Sequence, residues 1–219
     1  MKINNIKKSY GKKRVLENIS FEAEKGMCIG LLGSNGCGKS TLLNILAGVI
    51  KPDGGEFTFD GENMFDGKKN ANVIGFVPQT APLFEELTAY DNLLLWYSKA
   101  KLKESLSGGV IKMLGIDQFL KVPVAKMSGG MKKRLAIACA VAENPKVLLL
   151  DEPSAALDLV CKDTISEYLS EYKKSGGIII IATHDIQDLP LCDKLLIFKN
   201  GALEDYQFNG DISDLVKKL

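Results

Sequence analysis

The sequence predicts an α/β fold, a mostly parallel sheet flanked by helices, on three observations. Short runs such as Val147–Leu150 (VLLL) and Ile178–Ala182 (IIIIA) are apolar at every position, so neither face of the strand is left for water. Met27–Leu32 (MCIGLL) runs straight through a glycine-rich loop into TLLNILAG, the order strand, loop, helix. Between Val77 and Val147 the apolar spacing turns helical.

In chain order, strand character lies at Val15–Phe21, Met27–Leu32, Glu56–Phe59, Val73–Val77, Val147–Leu150, Ile178–Ala182 and Lys194–Phe198. Helical spacing lies at Leu87–Tyr97, Val110–Leu120 and Met131–Val141, and a helix is expected to start at Lys39. The arrangement predicts a single domain over 1–219: a core of 1–81 and 136–219, with a helical insertion at 82–135.

Composition narrows the function. With 28 Lys+Arg against 27 Asp+Glu, the net charge of +1 gives no electrostatic case for nucleic acid or an anionic membrane surface. The five cysteines, Cys28, Cys37, Cys139, Cys161 and Cys192, form no Cys-x-x-Cys pair, which is cytosolic usage and not a disulfide or zinc framework. MKINNIKKSYGKKR lacks the apolar stretch of a signal peptide, and no window reaches the about 18 apolar residues of a membrane span. The chain is therefore expected to be soluble and to borrow any membrane role from a partner.

Gly33, Ser34, Asn35, Gly36, Cys37, Gly38, Lys39 and Ser40 fit the pattern G-x-x-x-x-G-K-S/T, followed by Thr41. The glycines let backbone N–H groups curl round phosphate oxygens, and the following helix aims its positive end at the same anion. Lys39 is placed to reach the β- and γ-phosphates and Ser40 to hold Mg²⁺. VLLLDEP ends a buried strand in two carboxylates. Asp151 would hold Mg²⁺ at the carboxyl edge of the sheet, and Glu152 would polarise an attacking water. By itself the acidic pair reads equally well as a solvated turn; the phosphate loop decides against that.

His184, the only histidine, follows GGIIIIAT and reaches the same sheet edge, which favours a γ-phosphate contact. Gln79, after GFVP, offers an amide to Mg²⁺ or to the attacking water, or is a plain loop residue. Tyr10 offers a ring to adenine or is a packing residue.

Together these motifs resemble the nucleotide-binding subunit of an ABC transporter over nearly the whole chain. The resemblance implies a P-loop NTPase core, an N-terminal antiparallel β portion, and ATP hydrolysis with Mg²⁺. Tyr10 falls at the family's adenine-stacking position, Gly33–Ser40 at Walker A, Gln79 at the Q-loop, and Asp151 and Glu152 at Walker B. Ser154–Asp158 (SAALD) falls at the D-loop and His184 at the switch position. Two such subunits, identical or homologous, are expected to sandwich ATP between one Walker A and the other's signature. A separate transmembrane permease would be the further partner, and the subunit would sit on the cytoplasmic face of the cell membrane.

Two Ser-Gly-Gly copies compete for the signature, LSGGV at 106–110 and MSGGM at 127–131. Met131 precedes Asp151 by 151 − 131 = 20 residues, a spacing like the family's. Ser128 as a helix N-cap, with Gly129 and Gly130 behind it, offers free N–H groups to a phosphate. LSGGV precedes VIKMLG, where its glycines open or interrupt a helix at about 1 kcal/mol each. Met131 in place of the usual Gln resembles the S-G-G-M-x-x-R-L version of export-type subunits, which tilts the expectation toward export. The stop at Leu219, short of a C-terminal extension, gives the expectation of no regulatory tail domain. The competing readings are a soluble ABC ATPase acting in assembly and a P-loop kinase, which has no use for a signature helix.

Overall fold

The computed structural model describes residues 1–65 and 70–218, so Leu219 lies outside the described residues. The chain begins with an antiparallel pair, β1 (Lys2–Tyr10) and β2 (Lys13–Glu22). Only Ile3 and Ile6 of β1 are buried, and Asn5 between them is left-handed at φ 53°. That irregularity breaks the period of two by which strands are recognised, so β1 was not among the expected runs.

Then follow β3 (Cys28–Leu32), α1 (Lys39–Leu46), β4 (Gly54–Phe59), β5 (Glu62–Asn63), α2 (Asn70–Val73) and β6 (Ile74–Val77). The helical stretch comprises α3 (Ala89–Leu94), α4 (Lys99–Gly108), α5 (Val110–Met113) and α6 (Gly129–Ala140). The chain continues with β7 (Val147–Asp151), α7 (Leu159–Lys174), β8 (Ile178–Ala182), β9 (Lys194–Lys199), β10 (Ala202–Tyr206) and α8 (Ile212–Lys218).

Among the described residues the strands form two sheets, ordered β2-β1-β4-β5 and β10-β9-β3-β8-β7-β6. In the second, every pairing is parallel except β10 with β9. Alternation sorts its side chains into two cores. Leu149, Ile180 and Leu31 point toward α1 and the antiparallel sheet, while Leu148, Leu150, Ile179 and Ile181 point toward α6 and α7. Each such fully buried Leu or Ile contributes about 1.5–3 kcal/mol.

One expected element is corrected and two further elements are added. Val110–Leu120 is not one helix: α5 stops at Met113, Gly115 turns left-handed at φ 62°, and a 3₁₀ turn follows at Ile116–Gln118. The hairpin β9–β10 was not foreseen, although Asn200-Gly201, at φ 50° and 79°, is the pair that a two-residue hairpin favours. Helix α7 was not foreseen either; it is capped by Asp158, whose carboxylate accepts from the Cys161 N–H at 2.8 Å.

Candidate functional site

The loop from β3 to α1 curls because its glycines permit it. Gly33, at φ 153°, would place a Cβ 2.7 Å from Cys37 Sγ, and Gly38, at φ 122°, would place one 3.0 Å from Leu16. Lys39, 5% exposed, folds back over the loop and donates to Gly33 O at 2.6 Å and Ser34 O at 3.3 Å. Ser34, Asn35, Gly36 and Ser40 remain exposed.

Across from the loop, β7 delivers its two acids. Asp151 closes the strand; burial raises its carboxyl above the ordinary range, against the Ser40 hydroxyl and the Lys39 and Lys133 ammonium groups, which favour its charge. Glu152 leaves the strand left-handed at φ 51°, and its N–H donates to Ala182 O at 2.8 Å. Its side chain is buried, and Oε2 stands 2.8 Å from His184 Nδ1 without an aligned hydrogen bond.

Asn35, Gly36, Gly38, Lys39, Ser40, Thr41, Gln79, Asp151 and Glu152 line one cavity of about 250 Å³. Residues from three distant parts of the sequence thus meet at the carboxyl edge of the parallel sheet, where α/β folds bind ligands. A larger cavity of about 620 Å³, beside Tyr97, Tyr168 and Tyr172, contains none of these groups.

The other expected residues lie off that cavity. Tyr10 ends β1 half-exposed, its ring centre 5.7 Å from Lys8 Nζ. Ser128 caps α6, accepting from the Met131 N–H at 3.2 Å; Gly129 is exposed beside it, and Gly130 is buried with room for no Cβ beside Cys161 Sγ. Asp158 is held below the ordinary carboxylate range by its bonds to Cys161. The rival Gly109 both ends α4 and starts α5, and Ser107 Oγ donates within its own helix to Glu104 O at 2.7 Å.

Sequence reasoning missed Lys133. Although on α6, it is only 8% exposed, and its ammonium reaches Gln79 O at 3.3 Å and approaches Asp151 O at 3.5 Å. Desolvation lowers its pKa, while the Asp151 and Glu152 charges oppose that. The available signal was its spacing: Gly130, Lys133 and Ile137 fall on one helical face, and that face is buried.

Residues 16–155 match the protein-family model described as ABC transporter. The chain is 34% identical over 212 residues to the lantibiotic transport ATP-binding protein SrtF of Streptococcus pyogenes, covering 96% of this chain and 92% of that protein. It is 37% identical over 218 residues to the sulfate/thiosulfate import ATP-binding protein CysA of Mesostigma viride, covering 97% of this chain and 63% of that one. Among solved structures, the dimeric ATP-binding cassette MJ0796, in a post-hydrolysis state bound to ADP and Pi, superposes with a TM-score of 0.83 at 28% identity. That match covers 96% of this chain and 99% of the other.

Proposed function

The chain belongs to the ABC transporter family as an ATP-binding subunit, and from that premise we propose that it hydrolyses ATP against a second ATP-binding subunit and so drives a separate transmembrane permease. The observation that carries this reading is the single cavity joining the glycine loop, Gln79 and two carboxylates, with Glu152 facing His184 at its edge.

In this reading the N–H groups of residues 33–38 and the start of α1 hold the phosphates, and Lys39 exchanges its loop carbonyls for phosphate oxygens. Tyr10 stacks on the adenine. Ser40, Gln79 and Asp151 would hold Mg²⁺: they offer oxygen donors on one cavity, and no cage of three or more His, Cys, Asp or Glu competes among the described residues. Held by these three residues, Mg²⁺ would supply positive charge that offsets the negative charge on the transferring phosphoryl group. Glu152 accepts the proton of the water that attacks the γ-phosphorus as the bond to the β–γ bridging oxygen breaks. His184 contacts the γ-phosphate and keeps Glu152 in place.

Ser128 and Gly129 are exposed at a helix start off the cavity, with Gly130 buried behind them, which supports the three serving the nucleotide of the other subunit, identical or homologous. Asp158 would face that subunit. Residues 82–135 are read as a helical subdomain on the 1–81 and 136–219 core, with α6 running across the 135 boundary. Met131 favours export, against the likeness to an import protein. No helix among the described residues is long and apolar enough to cross a membrane. A peripheral position on the cytoplasmic face, held by the permease, accords with that.

The test is phosphate release by the purified chain. It should require Mg²⁺, stop with EDTA, and fall at least 100-fold in Asp151→Asn; metal-independent turnover would sink the reading. Co-purification with a polytopic membrane protein separates it from a soluble assembly ATPase.

A further inference from the structure

The 3₁₀ turn after His184 carries an acid that neither the motifs nor the cavity account for. Asp188 Oδ2 accepts from Ser154 Oγ at 2.7 Å and from the Thr183 hydroxyl, so one carboxylate oxygen joins two segments. Ser154 opens SAALD two residues beyond Glu152 and is 3% exposed; Thr183 precedes His184 and is fully buried. The Thr183 hydroxyl accepts in turn from the Asp185 N–H at 2.9 Å, and Asp185 on the far side of His184 pairs with Lys162 of α7. His184 is thus bracketed on both sides by residues anchored to the segment that holds Ser154, Asp158 and Lys162. A hydrogen bond from a buried hydroxyl to the half-buried Asp188 carboxylate is stronger than one between neutral groups, and such a bond holds its segments in one geometry.

We propose that Asp188 is a positioning residue for hydrolysis: by clasping Ser154 and Thr183 it makes the SAALD segment and the His184 loop move as one, so that engagement of a second subunit at SAALD sets the His184–Glu152 contact. This rests on the hydrolytic reading above. Glu152 is covalently close to Ser154, and His184 is next to Thr183, so the clasp closes a short loop around the 2.8 Å contact. Without it, the two loops are tied only by the Lys162–Asp185 pair and the Glu152 N–H bond to Ala182 O, and a displacement of about 1 Å at a catalytic group costs on the order of 100-fold in rate.

The experiment is a double-mutant cycle read by phosphate release, with a fluorescent ATP analogue for affinity. Asp188→Ala should lower kcat at least tenfold with nucleotide affinity unchanged within twofold, and Asp188→Asn, which keeps an acceptor oxygen, should recover to within threefold of wild type. His184→Ala should cost at least tenfold in the wild-type background and less than threefold in Asp188→Ala, because Asp188 acts through His184. Wild-type turnover in Asp188→Ala, no recovery in Asp188→Asn, or losses that simply multiply would overturn the clasp. If Asp188→Ala does not fold, Ser154→Ala carries the same cycle with His184→Ala, and Ser154→Thr, which keeps the hydroxyl donor, takes the place of Asp188→Asn. Absence of Mg²⁺-dependent hydrolysis by the wild-type chain overturns the hydrolytic reading as well, whereas hydrolysis with multiplying losses overturns the clasp alone.

Discussion

Glu152 and His184 face each other with 2.8 Å between Oε2 and Nδ1, although 32 positions, 184 − 152, separate them in the chain. Parallel pairing of β7 with β8 puts Asp151 beside Ala182, so the residues just beyond each strand emerge side by side. Glu152→Gln keeps the shape of the side chain and removes its basicity. It should lower turnover by about 10²–10⁴-fold while an ATP analogue still binds and the two-subunit form accumulates on size-exclusion chromatography. Turnover at the wild-type rate would remove Glu152 as the base.

The two Ser-Gly-Gly copies make opposite predictions. Ser128→Glu puts a negative charge where a partner's phosphate would approach, so it should abolish ATP-driven dimerisation in the Glu152→Gln background and leave monomer nucleotide binding intact. Ser107→Glu, on the exposed surface of α4, should change neither. Equal effects from both variants, measured by light scattering with and without ATP, would contradict the assignment.

Gly130 sits where α6 meets α7, and an added Cβ would come within 2.4 Å of Cys161 Sγ. Gly130→Ala is expected to cost about 1–3 kcal/mol in urea unfolding, as overpacking does. Cys161→Ala in the same chain removes the sulfur and should recover most of that loss. A double variant no more stable than Gly130→Ala would place the strain elsewhere.

Asp193 contributes to stability against acid. Burial works to raise its carboxyl, but the Lys173 ammonium at 2.7 Å and the Cys28 N–H prevail and hold it below the ordinary range. A depressed acid stabilises above its unfolded value, about 3.9, and that contribution is lost as pH falls through the folded value. Asp193→Asn should therefore lose stability at pH 7 and show a shallower decline below about pH 4. Thermal midpoints across that range check it; an unchanged acid limb would remove Asp193 from the account.

The chemistry was most legible where neighbours in sequence are neighbours in space. The glycine loop, the DE pair and the capped start of α6 each lie within one short stretch, and their backbone demands are written in residue type. The strands β7 and β8 were legible for a related reason, since a run apolar at every position has no other stable use than a sheet covered on both faces. The left-handed Gly115 was legible in principle as well, but an apolar spacing that continues across it concealed the break between Val110 and Leu120.

By itself, then, the sequence determined the α/β class, the glycine-rich loop between strand and helix, the two acids and which Ser-Gly-Gly opens a long helix, because these follow from period and local backbone freedom. Only the tertiary structure decided that Gln79, Asp151, Glu152 and Lys39 share one cavity, that Lys133 is buried against the Gln79 and Asp151 carbonyls, and that Asp188 joins Ser154 to Thr183. Those pairings are chosen by strand order and helix docking, and a hydrogen bond between positions 34 residues apart leaves no periodic trace in the chain that makes it.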